Sequence, residues 1–120
     1  MSPSSQPAPV HRLKADFFRV LGHPARVRIL ELLRDEDERT VGDLQRALGL
    51  DSSGTSQHLA ALRRHGVLES RRAGTSVYYR VRDPRVFQLL EVARQLLSAQ
   101  LEASRELLDE LAEPAGRVGP

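Results

Sequence analysis

TVGDLQRALGLDSSGTSQHLAALRRHGVLESRRAGTSVYYRVR, residues 40–82, is the stretch that decides the fold. Thr40 followed by Asp43 has the form of a capping box, with Asp in the place of the usual Glu or Gln. Val41, Leu44, Ala47 and Leu48 then keep helical spacing, and Gly49 closes the helix. Asp51, Ser52 and Ser53 are all suited to capping a second helix over Gly54–His65. Leu59 and Leu62 form its inward face, with Thr55 and Ala61 beside them, and Gly66 takes the position after the C-cap. Val67–Arg72 has strand character, Ala73-Gly74-Thr75 is a tight turn, and Ser76–Arg82 returns as a strand rich in Val and Tyr. The pattern predicts a helix-turn-helix followed by a two-stranded hairpin, or wing, in a mainly α (α+β) fold.

That grammar points to double-stranded DNA. The second helix of such a unit enters the major groove with its N-terminal residues at the base edges. Here those residues are Ser53, Gly54, Thr55, Ser56, Gln57 and His58. Ser and Thr serve bases or phosphates, and Gln can pair in bidentate fashion with adenine. Gly54 would admit a phosphate to the backbone N–H groups of the helix N-terminus. Arg63 and Arg64 extend the cationic surface along the helix. Arg71, Arg72, Gly74, Thr75, Tyr78 and Arg80 are the candidates on the wing, whose tip would approach the backbone or minor groove. Strand alternation allows Arg80 and Arg82 to share a face, joined by only one of Arg71 and Arg72.

Outward from this unit, Leu13, Phe17, Val20 and Leu21 mark a helix over His11–Leu21. His23 and Pro24 start another, Ala25–Arg34, with Val27, Leu30 and Leu33 at core spacing beside Ile29 and Leu32. Asp35-Glu36-Asp37-Glu38 is expected to be a solvated acidic connector. Asp83-Pro84 opens a last helix that can run to about Ala112, roughly 42 Å at 1.5 Å per residue. Phe87, Leu90, Leu97, Leu101, Leu108 and Leu111 form one stripe along it, and Leu89, Ala93, Leu96, Ala103 and Leu107 form a second. So much apolar surface on a small domain predicts a homodimer. The expected interface is Leu13 and Phe17 on the first helix with Phe87, Leu90, Leu97, Leu101 and Leu108 on the last. Residues 1–9 read as a disordered leader, 10–112 as one DNA-binding and dimerisation domain, and 113–120 as a flexible tail.

Composition narrows the function classes. The chain has 120 residues, 40% hydrophobic and 28% charged, with a net charge of +2. Residues 53–85 carry seven basic and two acidic side chains, between an acidic block at 31–51 (three and seven) and another at 86–113 (two and six). A cationic segment between acidic ones predicts a localised anion-binding face. No apolar run approaches the roughly 20 residues that span a bilayer, so no membrane partner is expected. The opening residues lack the features of a secretory signal, so a cytoplasmic location is expected, at the nucleoid if the chain binds DNA. With no cysteine there is no disulfide, no thiolate metal site and no thiol sensing. No phosphate loop, nucleophile motif or metal triad is present, so an enzyme is not expected.

The segments FRVLGHPARVRILELL and VGDLQRALGLDSSGTSQHLAALRRHGVLESRRAGTSVYYRV resemble the ArsR/SmtB winged-helix repressors over about residues 13–97. LGHPARVRILELL, SQHLAALRRHGVLESRRAG and VYYRV carry the resemblance most specifically. It implies a homodimer built by the first and last helices, an inverted-repeat operator, and release from DNA by an effector that is often a metal ion. It also places Ser53, Ser56, Gln57 and His58 in the recognition helix and Arg71, Arg72, Gly74 and Tyr78 in the wing. The chain departs from the family's metal sensors. Where an ELCVCD motif would supply cysteines, it has Thr40 and Gly42, and no His follows His65. The remaining metal candidates are His11 with Glu102, Glu106 and Asp109, a donor set suited to nickel or zinc. Two alternatives stay open: sensing carried out by a partner protein, and a winged-helix module whose Arg63, Arg71 and Arg80 meet an acidic protein.

Overall fold

The computed structural model describes residues 9–112. The expected leader, except Pro9, and the expected tail lie outside the described residues. Helix α1 spans Pro9–Leu21, starting two residues before the predicted His11. Proline suits a first helical position because it lacks the N–H that would go unpaired there. Helix α2, Pro24–Asp35, follows with His23 as its N-cap. Strand β1 is Arg39–Thr40, and helix α3 is Val41–Leu48. Helix α4 is Ser52–Arg64, strand β2 Leu68–Ala73 and strand β3 Ser76–Val81. Helix α5 is Arg85–Ala112.

The caps are those that the sequence offers. Thr40 Oγ1 accepts from the Asp43 N–H at 3.1 Å and starts α3. Gly49 ends that helix at φ +69, a left-handed conformation that glycine adopts without a Cβ penalty. Of the three candidate caps for α4, Asp51 takes the position, and its Oδ1 accepts from the Gly54 N–H at 2.7 Å. Before α5, the Arg85 guanidinium and backbone N–H both donate to Asp83, whose carboxyl they draw down to about 2.

The sheet has one strand more than the expected hairpin. β3 lies between β1 and β2, antiparallel to both. Arg39 pairs with Tyr79 and Thr40 with Tyr78. Two residues are too few to show a period, so β1 is invisible in the sequence. The β2–β3 turn is Gly74-Thr75, with Ala73 already in the ladder opposite Ser76. Positive φ at Gly74 and not at Thr75 matches the II′ turn that joins twisted strands.

The chain divides into two compact units after Val86. The core of the first consists of Ile29, Leu30 and Leu33 of α2, Leu44 of α3, Leu59 and Leu62 of α4 and Leu68 of β2, all fully buried. Each such side chain contributes about 2 kcal/mol relative to exposure. Val27, expected at a core position, is only half-buried. In the second unit, α5 leaves Leu96, Leu97, Leu101, Leu107, Leu108 and Leu111 exposed. Among the described residues no helix is long and apolar enough to cross a membrane.

Candidate nucleic-acid interface

Burial divides α4 into two sides. Thr55, Leu59 and Leu62 are fully buried, and Ala61 nearly so. Ser53, Ser56, Gln57, Ala60, Arg63 and Arg64 are exposed. Their spacings of three, one, three, three and one place them on one face of the helix. A polar first turn and a cationic last turn therefore share a surface, and the leucines opposite hold that surface on the core.

Two candidates of the first turn do other work. Thr55 has no exposed surface, and its Oγ1 donates to the Asp51 carbonyl at 2.9 Å, which takes it out of the DNA-facing set. The expected backbone cradle at Gly54 is corrected as well. Its N–H is already bound to the Asp51 carboxylate, and a Cβ there would stand 2.7 Å from that oxygen. Glycine leaves room for the cap, where the sequence had pointed to a phosphate.

His58 is half-buried and belongs to a cluster. Arg26 Nε donates to His58 Nδ1 at 3.1 Å, and Arg26 Nη1 donates to the Val20 carbonyl at 3.2 Å. The His23 ring lies 4.3 Å from the His58 ring, centroid to centroid, and its own Nδ1 accepts from the Ala25 N–H. Both imidazoles thus use Nδ1 as an acceptor, which fixes each as the neutral form carrying its proton on Nε2. Burial first, then the electrostatic influence of His23 and of the Arg26 guanidinium, pushes the His58 pKa below its ordinary 6.5. Arg26 was not among the sequence candidates, since 32 residues separate it from His58. His65 donates from Nδ1 to the Ala61 carbonyl at 3.0 Å, in the C-cap position of α4.

On the wing, alternation along β2 and β3 separates the arginines. Leu68 is buried, so Leu68, Ser70 and Arg72 lie on the inner face of the sheet, and Glu69 and Arg71 lie on the outer one. Arg80 and Tyr78, opposite Glu69 and Arg71, share that outer face. Arg71 thus joins Arg80 and Arg82, and Arg72 does not. Arg71 donates twice to Glu38, at 2.7 and 2.9 Å, and its guanidinium sits 4.6 Å over the Tyr78 ring. Arg80 donates to Glu69 at 2.6 Å, with Arg82 3.9 Å from the same carboxylate. Glu38, expected in a solvated loop, is thereby tied to the wing. Among the described residues, Arg63, Arg64 and Arg72 have no carboxylate at ion-pair distance. The same holds for any metal cluster: no group of three or more His, Asp and Glu is gathered among them.

An exposed polar face on the second helix of a helix-turn-helix, followed by a hairpin with a free arginine, defines a winged helix-turn-helix DNA-binding protein. A family model described as a helix-turn-helix domain matches residues 21–71. The HTH-type transcriptional regulator Rv0081 of Mycobacterium tuberculosis is 46% identical over 104 residues, covering 86% of this chain and 90% of its own. The crystal structure of Rv0081 superposes with a TM-score of 0.71 at 45% identity, over 88% of this chain and all of that one. The homodimeric winged helix-turn-helix DNA-binding domain Mb0332 of Mycobacterium bovis, solved in solution, has a TM-score of 0.72 at 30% identity, covering 86% of this chain and 93% of its own. The biofilm growth-associated repressor of Xylella fastidiosa is 31% identical, over 72% of this chain and 75% of its own.

The chain belongs to the ArsR/SmtB family of winged helix-turn-helix transcriptional regulators. The family's thiolate metal site does not fit it. Thr40 spends its hydroxyl on capping α3, and Gly42 offers no donor.

Proposed function

We propose that the protein is a homodimeric repressor that binds an inverted-repeat operator in the bacterial cytoplasm. The exposed stripe Ser53, Ser56, Gln57, Arg63 and Arg64 carries this reading, because it combines base-reading amides and hydroxyls with phosphate-binding guanidinium groups. Dimerisation is supported by the uncovered leucines of α5 and by Leu13 on α1, which is 68% exposed. The homodimeric state of Mb0332 and the repressor role of the Xylella relative agree with it. Two-fold symmetry in the protein would be mirrored in the half-sites.

Footprinting and titration on a fragment selected by the protein from a random library test the proposal. Gln57→Ala should cost about 1–3 kcal/mol on that fragment and relax preference at one base position per half-site. Arg63→Ala and Arg64→Ala should weaken binding evenly across sequences. If Gln57→Ala and Arg72→Ala both leave affinity and sequence preference intact, the mechanism fails. Release is proposed to follow an effector bound without thiolates. Nickel and zinc are the first to titrate, with His11, Glu102, Glu106 and Asp109 as donors and His11→Ala as the control.

A further inference from the structure

The wing presents fewer usable cations than its sequence suggests. Of Arg71, Arg72, Arg80 and Arg82, the outer-face members contact carboxylates: Glu38 holds Arg71, while Glu69 holds Arg80 and lies near Arg82. Glu38 comes from the chain just before β1, outside the hairpin, and reaches Arg71 across 33 residues of sequence. The Arg71 guanidinium also sits 4.6 Å over the Tyr78 ring. Arg72, on the inner face, stands free of carboxylates among the described residues.

Pairing alters the thermodynamics of meeting DNA. A free arginine that neutralises a phosphate releases a condensed counterion, and each such contact adds about 0.9 to the salt slope. An arginine that leaves a carboxylate to do so uncovers a negative charge beside the polyanion, and that charge must recruit a cation. The net release is then close to zero, and so is the gain. The Arg71–Glu38 pair is bidentate and Glu69 is shared by Arg80 and Arg82, so both arginines are held in place and not merely near a carboxylate.

We infer that Glu38 and Glu69 limit the number of cations the wing offers to DNA: by holding Arg71 and Arg80 they suppress sequence-independent binding and leave Arg72 to engage DNA. This rests on the wing meeting DNA as proposed above. It revises the sequence expectation for Arg71 and Arg80, making them positioned, neutralised groups and not phosphate contacts.

The test measures salt slopes on two duplexes: one of random sequence, and the fragment the protein itself selects from a library. Glu38→Gln and Glu69→Gln are near-isosteric at half-buried positions, and thermal melting of each variant checks that the fold is kept. Each should steepen the random-duplex slope by about 0.9 per freed arginine that finds a phosphate, an extra loss of about threefold across a fourfold rise in salt. The affinity for random duplex at low salt should rise by a similar factor. Arg71→Ala and Arg80→Ala should leave the selected-fragment slope unchanged, and Arg72→Ala should flatten it. Glutamine variants with wild-type slopes on random duplex would overturn the inference, as would Arg71→Ala or Arg80→Ala flattening the slope as Arg72→Ala does. An Arg72→Ala protein with an unaltered slope would overturn the premise instead, showing that the wing does not reach DNA.

Discussion

At the scale of residues, the His23–Arg26–His58 cluster makes stability depend on pH. His58 is on the recognition helix, and its Nδ1 accepts a hydrogen bond only while the ring is neutral. Its folded pKa lies below the ordinary 6.5, so over that interval the unfolded chain binds more protons than the folded one. The stabilisation is therefore complete above about 6.5 and is lost as pH falls from there through the depressed folded value. The groups facing His58 work in the same direction: His23 and the Arg26 guanidinium both disfavour a charge on the His58 ring. Thermal melting between pH 7.5 and 5 should show this loss in the wild type, and His58→Gln should flatten that part of the profile. An unaltered profile in His58→Gln would assign the titration elsewhere. Nothing in the spacing of residues 23, 26 and 58 announces the cluster, because it joins the N-terminus of one helix to the middle of another. The caps, by contrast, are legible, since each depends on neighbours two or three residues apart.

At the scale of elements, α3 and α4 are held by their ends as much as by their core. Gly49 sits at φ +69 with open space around it, so an alanine there would suffer backbone strain and no clash. Gly49→Ala should cost about 1–2 kcal/mol, read by chemical denaturation. Asp51→Ala removes the acceptor for the Gly54 N–H and should cost about 1 kcal/mol. That substitution also returns an unpaired N–H to the N-terminus of the recognition helix. DNA affinity should consequently fall by less than stability does, and a larger fall would show that the Asp51 cap also sets the pose of the helix. The helix-turn-helix and the hairpin could be read directly from the sequence because capping residues, apolar spacing and turn glycines are all local signals. β1 could not, and neither could the role of Glu38. A two-residue strand has no periodicity, and an acidic run looks solvated until a distant arginine is placed beside it. The two first-turn corrections have one physical origin. Small residues at a helix start serve the helix's own cap before any ligand, as Gly54 and Thr55 do.

At the scale of the whole molecule, the uncovered leucines of α5 set a requirement on assembly. Leu97, Leu101 and Leu108 are 57%, 70% and 65% exposed in a single chain, more apolar surface than a stable monomer leaves in water. Leu97→Glu with Leu101→Glu should leave the helical signal of the first unit intact and shift sedimentation from dimer to monomer at micromolar concentration. Operator affinity should fall at least a hundredfold once two half-sites are no longer bound together. A double variant that stays dimeric would place the contact elsewhere. Thr40 ties the sheet to the helices in a further way. It is the last residue of β1, paired with Tyr78, and its hydroxyl also caps α3. No slack chain separates strand from helix at that point. The wing therefore cannot tilt without carrying the first turn of α3 with it, and a ligand that prised that turn open would detune groove reading and wing contact in a single stroke.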